Sequence, residues 1–167
     1  EVGVRYFVEQ LDLSWLLLVH SANPPRNSPC RSASAESALS LSVAALPTLP
    51  SRATWTSLYT PPRGEYIEDV DVFSRHVALY TRTDAIPGIR IIEIERSPNG
   101  SPNNAPGHLP SAGAARRPRV AREHRVTLPT RGGPCAISPA SNHSFGSSTC
   151  HFHLSSPSMP RVHYAYD

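Results

Sequence analysis

The sequence contains no lysine, so all 16 basic residues among its 167 are arginine. Against 13 Asp and Glu residues they leave a formal net charge of only +3, which is too small to indicate a nucleic-acid-binding protein. Aromatic residues make up 7% of the chain, which leaves little material for a surface on which bases could stack. We therefore interpret the absence of lysine as biased coding and predict no nucleic-acid partner.

Cysteine is scarce, and the chain has no long apolar run. Cys30, Cys135 and Cys150 are an odd number at wide spacings without a Cys-x-x-Cys pair, which excludes a disulfide framework and favours reduced thiols inside a cell. The longest apolar run, residues 15–19, is too short to cross a bilayer. We predict no membrane partner and an intracellular, cytoplasmic location, with an organelle as the alternative. Since the chain begins at Glu1 instead of methionine, we expect it to belong to a longer protein.

Loop-forming residues are abundant, because proline, glycine and serine account for 49 of the 167 residues and apolar residues for only 39%. Residues 21–54 are rich in Ser, Ala, Pro and Arg without a sustained period. They predict a disordered insertion, with a short helix near Ala35 to Ala45 as the alternative. Residues 97–124 hold prolines and glycines too closely spaced for a ladder or a helix, and they predict a second, Pro/Arg-rich disordered insertion.

The remaining segments predict short β-strands separated by turns. They are residues 1–20, 55–96 and 125–167. Residues 14–20 favour a strand, with a buried helix turn as the alternative. Residues 75–82 alternate most clearly, so that Val77 and Leu79 share one face and their neighbours share the other. Short strands at roughly ten-residue spacing, without a long amphipathic helix, favour an all-β sandwich, barrel or propeller.

Several short segments carry a resemblance to a known family. They are Val4–Glu9, Tyr66–Phe73, Val77–Tyr80, Ile86–Arg90, Cys135–Pro139, Ser141–Phe145, Leu154–Pro160 and Tyr164–Asp167. In this order and spacing they resemble the prolyl oligopeptidase family, and within it the oligopeptidase B (protease II) branch. They cover about half of the chain. The matching region is the C-terminal part of the family's N-terminal propeller domain, so the resemblance implies an all-β fragment of about two propeller blades with insertions.

The resemblance implies a serine peptidase in which a seven-bladed propeller caps an α/β-hydrolase domain and admits only short peptides. In such an enzyme a serine attacks the peptide carbonyl, a histidine takes its proton and an aspartate orients the histidine. The oligopeptidase B branch cleaves after basic residues. The implied partners are therefore the α/β-hydrolase domain of the same parent protein and a peptide substrate, and no cofactor is implied.

The chain has no Gly-x-Ser-x-Gly motif, which would place a nucleophilic serine on a tight strand-to-helix turn. Gly146 is followed by Ser147 and Ser148 but by no second glycine. We therefore assign no catalytic, cofactor-binding or metal residue, and we expect this chain alone to be inactive. Two alternatives stay open: a non-catalytic β-rich interaction module, and a largely disordered or mispredicted product without independent function.

Histidine and cysteine are frequent near the end of the chain. His151 and His153 share one face of a predicted strand, and zinc could in principle also draw on His143, Cys135 and Cys150 nearby in sequence. Cys150, however, would point to the opposite face, and no second cysteine pair supports a site. We predict ordinary strand and surface positions for these residues.

Glu65, Glu68, Asp69 and Asp71 form an acidic cluster. Paired carboxylates can serve general acid–base chemistry or hold a cation. Their spacing lacks the regular ligand pattern of a calcium loop, and charged residues are common at exposed sheet edges. We predict solvated side chains at the edge of a blade.

Arginine is concentrated in a basic cluster of Arg116, Arg117, Arg119, Arg122 and Arg125. Such a cluster could bind nucleic acid or an acidic partner. It lies in a proline-rich stretch without interleaved aromatic residues, so the prediction is a solvated, disordered linker.

Ser141, Asn142 and His143 place a hydroxyl beside an imidazole in the chain. Adjacent residues rarely bring these two groups together, and no orienting acid is indicated. We predict that all three are turn residues, Asn142 especially.

Overall fold

The computed structural model describes residues 6–10, 15–21, 39–45, 55–97, 117–130 and 134–167. These residues form eleven β-strands. The strands are β1 (Tyr6–Gln10), β2 (Trp15–Ser21), β3 (Leu39–Ala45), β4 (Thr56–Tyr59), β5 (Glu65–Val72), β6 (His76–Thr83), β7 (Ile86–Ser97), β8 (Arg117–Arg125), β9 (Ala136–Pro139), β10 (Cys150–Ser156) and β11 (Met159–Tyr166). Within the described ranges no helix is long and apolar enough to cross a membrane.

The strands form three antiparallel sheets, each a meander of strands that follow one another in the chain. Sheet A has the order β1-β2-β3-β4, sheet B the order β5-β6-β7-β8, and sheet C the order β11-β10-β9. The connection between paired strands ranges from two residues between β6 and β7 to residues 98–116 between β7 and β8. In each case the chain pairs sequential strands antiparallel and needs no crossover.

Sheet B lies between the other two sheets, since both of its faces are buried. Leu79 on β6 belongs to one core together with Leu17 of sheet A. Tyr80, the next residue, belongs to a second core together with Phe152 of sheet C. Successive side chains of a strand point to opposite faces, so the apolar strand β6 serves both cores. The alternation predicted for residues 75–82 is confirmed.

Face-to-face stacking of antiparallel meanders is the arrangement of successive blades in a propeller. The described residues contain two four-stranded sheets and one three-stranded sheet. The predicted all-β, partial-propeller fold is therefore confirmed, and it extends to a third sheet beyond the two blades expected.

Strand β3 corrects the prediction of a disordered or helical segment in residues 21–54. Residues 39–45 pair with β2 on one side and with β4 on the other. Leu41 and Val43 are fully buried and face the core between sheets A and B. Ser40 and Ser42, which alternate with them, lie on the opposite face, so the period is that of a strand. Residues 22–38 and 46–54 lie outside the described residues.

Strand β8 corrects the second predicted insertion. Residues 117–124 belong to a strand that pairs with β7 along its length, with Pro118 opposite Arg96. Proline is tolerated here because β8 is the outer strand of sheet B, where one side of the backbone needs no ladder partner. Residues 98–116 lie outside the described residues.

The turn between β6 and β7 is a two-residue hairpin loop in which both residues have positive φ. Asp84 has φ 49° and Ala85 has φ 67°, and Thr83 pairs with Ile86 across the loop. This geometry is that of a type I′ turn, which matches the twist of the flanking strands. Asp tolerates the left-handed region, but the Cβ of alanine is strained there.

Replacing Ala85 by glycine is therefore expected to stabilise the chain by about 1 kcal/mol, because glycine adopts positive φ without the Cβ clash. The measurement is the urea midpoint of unfolding at neutral pH. Ala121→Gly is the matched control, since Ala121 is an exposed residue of the extended strand β8. We expect that control to lower stability by about 0.5–1 kcal/mol. Equal effects of the two substitutions would contradict the strain argument.

Candidate functional site

The four residues of the acidic cluster on β5 do not form one site. Glu65 is fully buried, so the prediction of solvated side chains is wrong for it. Glu68 makes a bidentate, partly exposed ion pair with Arg82. Asp69 is exposed, and the half-buried Asp71 faces a different set of partners. Side chains of successive residues point to opposite faces of β5, and the irregular register between β5 and β6 separates the acidic side chains further. No two of these carboxylates are placed for shared acid–base chemistry.

Glu65 is the centre of a network that joins sheets A and B, which we call the Glu65 network. It comprises Tyr59, Glu65, Thr83, Arg90 and Arg125. The Tyr59 hydroxyl, at the end of β4, donates to one carboxylate oxygen of Glu65. The other oxygen accepts from Arg90 at 2.9 Å, from Thr83 at 3.2 Å and from Arg125. Each of the strands β4 to β8 thus supplies one residue to the network. Its geometry therefore holds only when sheets A and B are packed against each other.

The electrostatics of the Glu65 network favour the ionised carboxylate. Burial alone would raise the pKa of Glu65, but the hydrogen bonds from Tyr59, Arg90 and Arg125 outweigh it and lower the pKa to about 2. Burial and the bond to Glu65 raise the pKa of the Tyr59 hydroxyl. A carboxylate that stays ionised and fully bonded cannot deliver a proton at neutral pH. The network therefore holds sheets A and B together and does not serve as an acid–base pair.

A second polar network joins sheets B and C through Asp71. One carboxylate oxygen accepts from the Tyr80 hydroxyl at 2.8 Å and from the Asn142 amide at 2.7 Å. Burial raises the pKa of Asp71, and the two hydrogen bonds oppose that shift. The Tyr80 hydroxyl also lies 3.7 Å from the Cys150 sulfur, whose pKa is raised by burial. A buried thiol of this kind stays protonated and unreactive.

Asn142 acts as a substitute for a backbone peptide. Its Oδ1 accepts from the His151 N–H at 2.8 Å, and its amide donates to the His151 carbonyl at 2.8 Å as well as to Asp71. Strand β9 ends at Pro139, and the Asn142 side chain continues the pairing with β10 past that end. Asn142 lies in the connection between β9 and β10, three residues before the turn at Phe145 and Gly146. The sequence did not indicate that the Asn142 side chain also bonds to Asp71 of sheet B.

Replacing Asn142 by alanine is expected to destabilise this end of β10 by about 1–3 kcal/mol, because the buried groups it satisfies lose their partner. The measurement is amide hydrogen exchange at His151, which should quicken by about tenfold or more. Asn142→Asp should act in the same direction more strongly, since it sets a carboxylate against Asp71. Ser141→Ala is the control, because Ser141 is exposed. Unchanged exchange at His151 in Asn142→Ala would contradict the role assigned to this side chain.

The basic cluster is divided among different partners. Arg119 pairs with Glu95 and Arg125 pairs with Glu65, while Arg122 is exposed beside Glu93. Arg116 lies outside the described residues, and of Arg117 only the backbone is described. Among the described members, two of the positive charges are matched by carboxylates, which weakens any attraction for a phosphate backbone. Binding of nucleic acid is not suggested by this arrangement.

The histidines and cysteines near the C-terminus lie on different sides of sheet C. Cys150 is buried in the core between sheets B and C, and Cys135 packs at the edge of that core. His151 and His153 lie on the opposite face of β10. In the part of the chain that the structure describes, no group of three or more His, Cys, Asp or Glu side chains is arranged to hold a metal ion.

The interface between sheets B and C opens at one end into a cleft of about 990 Å³. Cross-strand pairing places His76, Glu93 and Arg122, which line the cleft, side by side on neighbouring strands. His124 and Tyr166 also line it, and the imidazole Nε2 lies 2.9 Å from the phenol oxygen. Sequence analysis missed this cleft, because its residues meet only through strand register and the spread of two sheets.

The histidines of the cleft have incomplete polar contacts. Burial lowers the pKa of His76, although Glu93 opposes this, and the ring stacks on Phe73. The Nδ1 of His124 is buried without a hydrogen bond, 3.9 Å from the Glu93 carboxylate. A cleft of this size with convergent polar groups is suited to a small polar ligand or a short peptide segment.

Three stacked antiparallel meanders make the described part of the chain a partial β-propeller. Along its whole length the chain is similar to oligopeptidase B from Trypanosoma brucei, in its closed form with covalently bound antipain. The TM-score is 0.68 at 17% sequence identity, and the match covers 100% of this chain and 19% of the other. The sequence matches no protein-family model, and no curated protein is significantly similar to it.

Proposed function

We propose that this chain is a propeller segment of a serine-peptidase-type protein, in which the blades restrict the access of peptides to an α/β-hydrolase domain of the same protein. The observation that carries the proposal is the fold similarity along the whole chain to oligopeptidase B. The chain spans about a fifth of that structure, so activity would belong to the longer protein and not to these residues alone.

The described residues fit the task of a rigid filter. A propeller excludes large substrates only if its blades stay packed against one another. The Glu65 network joins sheet A to sheet B, and Asn142 with Asp71 joins sheet B to sheet C. Two apolar cores lie between the same pairs of sheets. Side chains that bridge adjacent sheets therefore resist the separation of blades that would admit a folded protein.

The test is active-site labelling of the longer protein encoded by the full transcript. A fluorophosphonate probe reacts with an activated serine, and pre-incubation with antipain should block the reaction. We expect labelling of the longer protein, none of the 167-residue chain, and hydrolysis of short peptides after arginine in preference to alanine. A longer protein that lacks a Gly-x-Ser-x-Gly motif and is not labelled would overturn the proposal. Labelling without a preference for arginine would overturn only the substrate class.

A non-catalytic interaction module is the second candidate function, and the cleft between sheets B and C favours it. Its lining offers Glu93 and Arg122 for opposite charges of a ligand. This candidate gains support if the longer protein is not labelled but binds peptides, and if Arg122→Gln weakens that binding. It loses its basis if Arg122→Gln changes nothing.

A further inference from the structure

The face of sheet C that points away from sheet B differs from the faces that are packed between adjacent sheets. Both faces of sheet B are built from apolar side chains. The outer face of sheet C, which points away from sheet B, carries histidine, arginine, serine and alanine. Its members are Ala136, Ser138, His151, His153, Ser155, Arg161, His163 and Ala165. No large apolar residue occurs among them, so a second apolar sheet would not pack well against this face.

Three imidazoles form a contiguous array on this face. The rings of His151 and His163 are stacked with centroids 5.1 Å apart, and those of His153 and His163 are tilted at 5.4 Å. His153 and His163 are direct cross-strand partners on β10 and β11, and His151 is the diagonal neighbour. The array arises because alternate residues of two adjacent strands share a face.

The donors of this face have no anionic partner. The Arg161 guanidinium donates to the Nδ1 of His153 at 2.9 Å, an arrangement that requires this nitrogen to be unprotonated. No described carboxylate forms an ion pair with Arg161. The Nδ1 of His151 is buried without a hydrogen bond. Arg161 thus donates to an imidazole instead of the carboxylate that a guanidinium prefers as acceptor. A neighbouring imidazole nitrogen, the Nδ1 of His151, has no partner.

The His153 Nδ1 also lies 3.4 Å from the Pro139 carbonyl oxygen. The charged and titratable groups of this face are His151 and His153 on β10 and Arg161 and His163 on β11. Strand β9 contributes only serine and alanine, and Asp167 at the end of β11 accepts from Ser148 and Thr149.

We propose that the outer face of sheet C is a docking surface for an acidic polypeptide segment, whose carboxylates pair with Arg161 and with the imidazole array of His151, His153 and His163. Charge complementarity selects this occupant, because the face offers several donors and the residues named above include neither a large apolar side chain nor a carboxylate. This proposal does not depend on peptidase activity.

The test is fluorescence anisotropy of a fluorescein-labelled peptide of alternating aspartate and serine, titrated with the 167-residue chain at pH 7.5. We expect saturable binding. Arg161→Gln and His163→Gln should each weaken binding by about fivefold or more. A peptide with asparagine in place of aspartate should not bind.

Two matched controls separate this face from other basic residues. Arg63→Gln removes an exposed arginine of the turn before β5, and His143→Gln removes an exposed histidine of the β9–β10 connection. Both should bind the aspartate peptide as the parent chain does, and circular dichroism should show the same strand content in all variants. Absence of saturable binding would overturn the proposal. So would equal binding of the asparagine peptide, full binding by His163→Gln, loss of binding in Arg63→Gln, or self-association of the chain through this face.

Discussion

Replacing Glu65 by glutamine is expected to lower the free energy of unfolding by about 3 kcal/mol at neutral pH, because one partner is removed from a buried ion pair. The Glu65 side chain is 0% exposed and that of Arg90 is 12% exposed. Glutamine preserves the shape of the side chain but cannot neutralise the guanidiniums of Arg90 and Arg125. Its amide N–H groups would face other hydrogen-bond donors instead of acceptors. Arg90 keeps its pair with Glu123, which places the effect at the lower end of the range for buried pairs.

Glu68→Gln is the matched control for this prediction. It removes the same charge from the same strand, but the ion pair of Glu68 with Arg82 is about two-fifths exposed on both sides. Exposed pairs contribute little, so the expected loss is below about 1 kcal/mol. Urea unfolding followed by the fluorescence of Trp15, which lies in the core between sheets A and B, measures both variants. Equal losses would show that burial of Glu65 does not matter.

The pH dependence supplies an independent check on the same residue. The pKa of Glu65 is lowered from 4.5 to about 2 in the folded chain. The stabilisation that follows from this shift is therefore complete above about pH 4.5 and is lost as the pH falls through about 2. The difference in stability between the parent chain and Glu65→Gln should shrink over that interval. A difference that stays constant from pH 7 to pH 2 would contradict the assigned role.

Replacing Leu79 by alanine is expected to lower the free energy of unfolding by about 3–4 kcal/mol, because it leaves a cavity in the core between sheets A and B. Leu79 is 0% exposed and lies on the strand that contributes to both cores. The surrounding side chains come from two rigid sheets, which limits how far the cavity can collapse. Urea unfolding with Trp15 fluorescence is again the measurement.

Ile86→Ala is the control for the cavity. Ile86 is also an aliphatic strand residue, but it is 69% exposed beside the hairpin turn. Its removal uncovers little buried surface, so the expected change is within about 0.5 kcal/mol. If the two substitutions have equal effects, sheets A and B are not packed against each other in solution.

Much of the fold could be predicted from local pattern. The alternation of residues 75–82 predicted a strand with two different faces, and β6 has them. The period of a strand also predicted that Cys150 and His153 lie on opposite faces, and the structure confirms this. Strand β3 was missed because its leucines and serines were judged without the neighbouring strands that make alternation meaningful.

Much less of the candidate site than of the fold could be predicted from the sequence. Four acids in one short segment suggested a single environment, yet Glu65 is buried in an ion pair and Glu68 is exposed. Nothing in the sequence shows that Arg90 and Arg125 reach the same carboxylate, because that depends on the register of strands β7 and β8 against β5 and β6. The imidazole array likewise depends on the pairing of His153 with His163.

By itself the sequence determined the all-β class and the faces of its most regular strand, because side-chain alternation is a local property of the extended backbone. It also contains no Gly-x-Ser-x-Gly motif, the turn on which a hydrolase of the α/β type presents its serine nucleophile. Only the tertiary structure decided that residues 39–45 and 117–125 are strands, that Pro118 lies at a sheet edge, and that Glu65 and Asn142 join adjacent sheets. The physical reason is that hydrogen-bond register and burial are set between residues far apart in the chain, where neither propensity nor spacing carries information.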